Sequence, residues 1–169
     1  MSLEDRFFQA MQTAPDDLNL RLVFADWYRE RGDPRAEFIQ VQIALDRLPR
    51  KHVWRAEFLA RERDLLALHR KTWGQPLHQR LNQTELKGRV HARRGAVRGW
   101  EYRRGFVEHV EVDALTLMNH FELLCSLGPL RSVRLVNARR PLRSLLAWDG
   151  LSRFTQLDLR HNRIGEVGL

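Results

Sequence analysis

The chain carries one cysteine, Cys125, in 169 residues. A lone thiol closes no internal disulfide and builds no thiolate zinc site. With Phe121, Leu123, Leu124 and Leu127 around it, Cys125 is expected as a buried free thiol. Lysine is nearly missing too: of 29 basic residues only Lys51, Lys71 and Lys87 are not arginine. Genome base composition explains that skew as readily as selection for recognition does, so the high isoelectric point alone is weak support for nucleic-acid binding. No stretch approaches the ~18 consecutive apolar residues of a membrane span. The start, Met1-Ser2-Leu3-Glu4-Asp5, is acidic and amphipathic where a secretory signal is basic and then apolar. These two absences predict a cytoplasmic protein with no membrane partner.

The motifs of common chemistries are missing as well. Seven histidines (His52, His69, His78, His91, His109, His120 and His161) show neither H-x-x-x-H nor H-E-x-x-H spacing, so no metal site is indicated. There is no G-x-x-x-x-G-K-S/T phosphate loop and no G-x-S-x-G elbow, and Gly95, Gly99 and Gly105 are spaced as turns. Asp26, Glu30 and Glu37 are acids on neighbouring helices, but Arg29, Arg31 and Arg35 lie among them. Local ion pairs and caps account for these carboxylates better than acid/base catalysis does. The chain reads as non-enzymatic and without a cofactor.

What is present is a spaced echo. Val107/Val110/Val112, Leu130/Val133/Leu135 and Phe154/Leu157/Leu159 repeat an apolar-x-x-apolar-x-apolar triplet at steps of 23 and 24 residues. A period in that range marks a solenoid, and the last copy runs on to Asn162 in the L-x-x-L-x-L-x-x-N pattern of a leucine-rich repeat. Leu115 to Leu127 and Leu142 to Trp148 then read as the outer helices of the first two repeats. Trp100-Glu101-Tyr102, Arg103-Arg104-Gly105 and Phe106 to Val112 read as strand, tight turn and strand, a hairpin that caps the solenoid.

Upstream the pattern is helical, and a chain that is 43% hydrophobic has material for one domain or two small ones. Leu3, Phe7, Phe8 and Met11 share a helical face after the near capping box Ser2-Asp5, until Pro15 intervenes. Asp16 and Asp17 start a second helix carrying Leu20, Val23, Phe24 and Trp27, which Gly32 stops. Pro34 begins a third that ends before Pro49. A fourth spans roughly Val53 to Trp73, with Gly74 and Pro76 closing it. From 75 to 99 the pattern weakens: Leu77, Leu81 and Leu86 suggest a short helix, and Arg93, Arg94, Gly95, Arg98 and Gly99 a loop. The predicted organisation is therefore α/β: a helical module over 1–74, a connection over 75–99, and the hairpin with about three repeats over 100–169, the last incomplete. Phe7, Phe8, Phe24 and Trp27 recur at core spacing, and Trp148 is expected against the solenoid core.

One segment resembles a known family. Asp16-Asp17-Leu18, Leu20-Arg21, Val23-Phe24-Ala25-Asp26-Trp27 and Glu30-Arg31-Gly32-Asp33-Pro34-Arg35-Ala36-Glu37-Phe38-Ile39-Gln40-Val41-Gln42 are similar to the bacterial repeat-companion domain. Arg61-Glu62-Arg63-Asp64-Leu65-Leu66, His69, Trp73 and Arg104-Gly105-Phe106-Val107 are similar to the stretch C-terminal to that domain in such proteins. The resemblance implies a short N-terminal module ahead of leucine-rich or other repeats; it implies no biochemical activity and assigns no catalytic residue. Leu157 to Leu169 looks like a repeat of the ribonuclease-inhibitor type without its helix. That leaves three alternatives: a piece of a longer protein, a naturally short product, or self-association through the uncapped C-terminal repeat.

Two groups of residues are candidates for function. Repeat strands lie about 4.8 Å apart, so Glu111, Arg134 and Asp158 fall in one row. The alternation of acid, base and acid satisfies itself as a ladder, contributing about 0.2 to 1 kcal/mol per pair. With Asp113, Arg160, His109 and His161 the same row forms a polar recognition surface for a protein partner of unknown identity. The second group is basic: Lys87, Arg89, Arg93, Arg94, Arg98, Arg103 and Arg104, interleaved with His91, Trp100 and Tyr102. Such a mix neutralises phosphates and stacks bases. The competing explanation is charge pairing with the acidic N-terminal module. The first 48 residues hold 6 Arg against 9 Asp or Glu, a net of −3; the whole chain carries +8, so the rest carries +11.

Overall fold

A computed structural model of the chain describes residues 3–83, 97–126 and 128–165, with side chains described at all of these but 75–83. The architecture is mixed α/β, with helices in the N-terminal half and a four-stranded sheet in the C-terminal half. Two compact units divide it: Met1–Leu81 with Arg103–Phe106, and Asn82–Tyr102 with Val107–Leu169. No helix among the described residues is long and apolar enough to cross a membrane.

The first unit is built on α1 (Leu3–Thr13), α2 (Leu18–Arg29), α3 (Arg35–Arg47) and α4 (Arg55–Gln83). Local chemistry sets their ends. Asp17 caps α2 by accepting from the backbone N–H groups of Asn19 at 2.9 Å and Leu20 at 3.2 Å. Past its C-terminus Gly32 takes φ +65°, the left-handed value that suits glycine. Pro34 precedes α3, and Leu48 is already extended ahead of Pro49. The core is aromatic: Phe24, fully buried, stacks on Phe7 at 4.4 Å, on Tyr28 at 4.6 Å and on Phe106 at 5.5 Å. Each such pair contributes about 0.5 to 1.5 kcal/mol beyond burial of its area.

The fourth helix departs from the sequence expectation. It does not stop at Gly74 and Pro76 but continues to Gln83, absorbing Leu77 and Leu81. A glycine and a proline in a helix interior cost about 1 and 3 kcal/mol relative to alanine, which is why the sequence pattern points to a stop there. Leu86 and the Arg93, Arg94 and Gly95 part of the predicted loop lie outside the described residues. Gly99, predicted as loop, stands inside a strand.

That strand opens the second unit: β1 (Val97–Arg103), β2 (Phe106–Asp113), α5 (Ala114–Asn119), α6 (Phe121–Cys125), β3 (Ser132–Val136), α7 (Leu142–Leu146), a 3-10 turn at Asp149–Arg153 and β4 (Gln156–Asp158). The sheet order is β1-β2-β3-β4. Arg104 and Gly105 join β1 to β2 with φ of +49° and +89°, the sign that a two-residue hairpin turn needs for its twist to match its strands. β2 pairs β3 in parallel with Val110 opposite Val133 and Val112 opposite Leu135, and β3 pairs β4 with Val133 opposite Leu157. The register therefore equals the 23- and 24-residue steps of the sequence.

Alternation sorts the two sheet faces. Val110, Val112, Val133 and Leu135 are fully buried with Ala114, Leu117, Leu124, Ala138 and Leu145. Burial fades at the last strand, where Leu157 is 40% exposed. The helices are shorter than the periodicity suggests. Leu115 to Leu127 is not one helix: it breaks at His120, whose φ of −127° and ψ of 28° lie outside the helical region, at a poor helix-forming pair with Asn119. Leu142 to Trp148 is helical only to Leu146. Trp148 is half-buried, its ring meeting Phe121 edge-on at 5.0 Å.

Candidate functional site

Residues on the polar side of β2, β3 and β4 stand next to one another because the strands are in parallel register. His109 lies opposite Ser132, Glu111 opposite Arg134, and Arg134 opposite Asp158. Arg134 reaches Glu111 at 3.4 Å and Asp158 at 3.9 Å, so acid, base and acid form one continuous row. His109 Nδ1 is 2.8 Å from Ser132 Oγ. At the next level Asn137 donates to Asp113 at 2.7 Å, while the other oxygen of Asp113 caps α5 through the Leu115 N–H at 3.0 Å.

Asp158 is the most constrained acid of the row. Arg160 donates to it from Nη2 at 2.7 Å, from Nε at 3.0 Å and from its own backbone N–H at 2.9 Å. These hydrogen bonds from the Arg160 side chain and backbone, with the Arg160 and Arg134 charges, hold the Asp158 carboxyl well below the usual carboxylate range. Asp158 therefore stays ionised through the physiological range, and its charge answers those of Arg160 and Arg134. His161, on the following turn at φ +65°, is exposed.

A buried asparagine closes this end of the sheet. Asn162 is 7% exposed; its Oδ1 accepts from Ala138 N–H at 2.8 Å, and its Nδ2 donates to Leu135 O at 2.7 Å and Leu159 O at 2.9 Å. A two-headed amide is what this position requires, since it must offer donors and an acceptor to backbone on both sides.

The basic candidates are dispersed. Arg89, Arg93 and Arg94 lie outside the described residues. Arg98 and Arg103 are exposed on β1, but they differ in parity along the strand, so Arg103 points away from the face that carries Trp100 and Tyr102. Arg104 is committed within the helical unit: its side chain is 12% exposed and pairs with Asp16 at 3.1 Å, and its carbonyl accepts from Arg21. Asp26 pairs with Arg29 at 2.5 Å, and Glu37 accepts two hydrogen bonds from Arg61. Among the described residues no group of His, Cys, Asp and Glu is arranged to hold a metal ion.

Sequence reasoning missed Ser132 and Asn137 as partners within the row. It also missed a cluster in the helical unit, where Tyr28 O–H donates to Glu4 at 2.6 Å and Arg35 lies 4.0 Å over the Tyr28 ring while holding Asp33 at 2.7 Å. The 23- and 24-residue offsets would have found the first two; nothing local signals the cluster. Compared with models of known families, with curated proteins and with solved structures, the chain matches none of the three.

Proposed function

We propose that this chain is a non-enzymatic protein-interaction scaffold of the cytoplasm, a helical module of the repeat-companion type followed by a short leucine-rich solenoid of the ribonuclease-inhibitor type. One observation carries the reading: Glu111, Arg134 and Asp158 stand in register across three strands and anchor one another. A row whose side chains are already held in place loses little further freedom when a partner docks, so its polar contacts are preorganised for recognition. The bonds of Asn162 to two levels of backbone support the solenoid part of the reading. Self-association belongs to the same proposal, through the outer edge of β4 beside the half-exposed Leu157.

The test places a photo-crosslinking residue in turn at His109, at Arg134 and, as a control, at the exposed Glu122 of α6, in the native host. Protein adducts from His109 and Arg134 but not from Glu122 support the scaffold. Anisotropy of labelled DNA and RNA across a salt series runs beside it. Binding that survives physiological salt and is lost on neutralising Arg98 and Arg103 would establish the nucleic-acid alternative instead.

A further inference from the structure

Five exposed arginines gather where β3 and β4 end. Arg139 and Arg140 come after β3, Arg143 lies on α7, and Arg160 and Arg163 come after β4. Register brings the two groups together. Ala138 N–H donates to Asn162 Oδ1 at 2.8 Å, which extends the 24-residue offset beyond the strands. Arg139 and Arg163 are the next residues after this bonded pair, so their backbones run side by side.

Among the described residues little answers this charge. Arg139, Arg140, Arg143 and Arg163 have no ion pair or side-chain hydrogen bond among the described residues. Among the described residues Asp113 and Asp158 are the acids at this end of the strands, and both are occupied: Asp113 by Asn137 and the Leu115 N–H, Asp158 by Arg160 and Arg134. From Asn137 to Trp148 the sequence has no acid. By contrast Glu111, Arg134, Asp158 and Arg160 cancel one another. The directional charge of this face therefore comes from the four free arginines, and such a patch sets the sign of an incoming partner and speeds its arrival.

We propose that these arginines dock a carboxylate-rich segment of a partner protein, an inference that rests on the protein-interaction reading for the class of partner. Planar guanidinium forks meet carboxylates two bonds at a time, and several on adjacent loops engage acids spaced along an extended chain. Single-stranded nucleic acid fits less well, because it is held by aromatic stacking as well as charge. Neither 137–146 nor 159–165 contains Phe, Trp or Tyr.

The experiment measures anisotropy of a short fluorescein-labelled Glu/Ser peptide, a Lys/Ser peptide of the same length, single-stranded RNA and duplex DNA against the full chain across a salt series. It compares the wild type with R139E/R140E/R143E and with R98E/R103E, and the neutral pair R140Q/R143Q gives the same readout where the triple reversal does not fold. The expected result is that the Glu/Ser peptide binds more tightly than either nucleic acid at equal salt. The triple reversal weakens it on the order of tenfold, and R98E/R103E leaves it unchanged. No binding of the Glu/Ser peptide, or binding indifferent to the triple reversal, overturns the inference. So does tighter nucleic-acid binding that the triple reversal abolishes. Nucleic-acid binding lost instead through R98E/R103E overturns the protein-interaction reading itself.

Discussion

Gln42 and Gly105, 63 residues apart in sequence, share a buried hydrogen bond: Gln42 Oε1 accepts from the Gly105 backbone N–H at 2.7 Å. The Gln42 amide also donates to Glu62 at 2.7 Å, so one side chain ties the hairpin turn to both α3 and α4. Replacing it by leucine leaves the Gly105 N–H buried without this acceptor and Glu62 without this donor. The expected cost is about 1 to 3 kcal/mol, read from urea unfolding. A loss well below that range would mean that water substitutes for the amide.

Gly105 itself admits no side chain. Its φ is +89°, and a Cβ there would come within van der Waals overlap of Ile39, whose Cβ would lie 2.8 Å away. Gly105→Ala adds strain in the backbone to a clash against a buried isoleucine, and about 2 to 4 kcal/mol of destabilisation is expected. Gly99→Ala is the matched control, because nothing stands within 4 Å of a Cβ at that position. Thermal unfolding of the two variants side by side checks the difference.

Much of this fold was legible because punctuation is local chemistry. Pro15, Asp17, Gly32, Pro34 and Pro49 mark the ends of the first three helices within three residues, and Arg103-Arg104-Gly105 marks the hairpin turn, although Arg103 itself ends the strand. The triplet spacing foretold the parallel register, since identical offsets are the only way for equivalent apolar side chains to share a buried row. What stayed hidden depends on distant partners. Arg21 is fully buried, and an arginine on a helix reads as surface until its acceptors are known. These are the carbonyls of Pro15 at 2.9 Å and Arg104 at 3.2 Å, the second 83 residues away. The placement of Arg163 beside Arg139, Arg140 and Arg143 was hidden for the same reason, because it arrives from after the next strand.

Asn162 is expected to be worth more than its single position suggests. Asn162→Ala removes three short hydrogen bonds to backbone and strands the Ala138 N–H in a buried place, with an expected cost of about 2 to 3 kcal/mol. Asn162→Asp keeps an acceptor for Ala138 but faces the carbonyls of Leu135 and Leu159 with no N–H, so it does not rescue. Hydrogen exchange at Ala138 separates the cases: faster exchange in the alanine variant is expected, and unchanged protection would refute the role assigned to the amide.

Acid should weaken the helical unit through Asp33. Burial pushes its carboxyl up, but the side-chain and backbone hydrogen bonds with Arg35, and the Arg35 charge, outweigh burial and hold it below its ordinary 3.8. The folded chain therefore binds this proton less readily than the unfolded chain does. The stabilisation is fully present above the unfolded value and is lost as pH falls through it toward the folded one. Urea midpoints measured from about pH 5 down to about pH 2 should fall for the wild type and fall less steeply for Asp33→Asn. Equal slopes would show that other carboxylates dominate the acid limb.

Cys125 titrates in the opposite sense. Burial pushes the thiol from 9.0 up to about 11; the Glu122 charge adds to the rise and the Arg153 charge opposes it. At neutral pH the thiolate fraction is on the order of one part in ten thousand, and Cys125, at the end of α6, is buried to 8% exposure, which hinders a bulky disulfide reagent. The native protein should therefore resist Ellman's reagent and release one equivalent of thiolate dye only on unfolding in urea. The linkage works against stability in alkali: the unfolded chain loses this proton first, so stability contributed by the neutral thiol is present below about pH 9 and lost as pH rises toward 11. Cys125→Ala abolishes that titration and leaves a small void, so its urea midpoint should lie below the wild type at neutral pH and converge on it in alkali. Rapid labelling of the native protein would instead place α6 among the parts of the molecule that open readily.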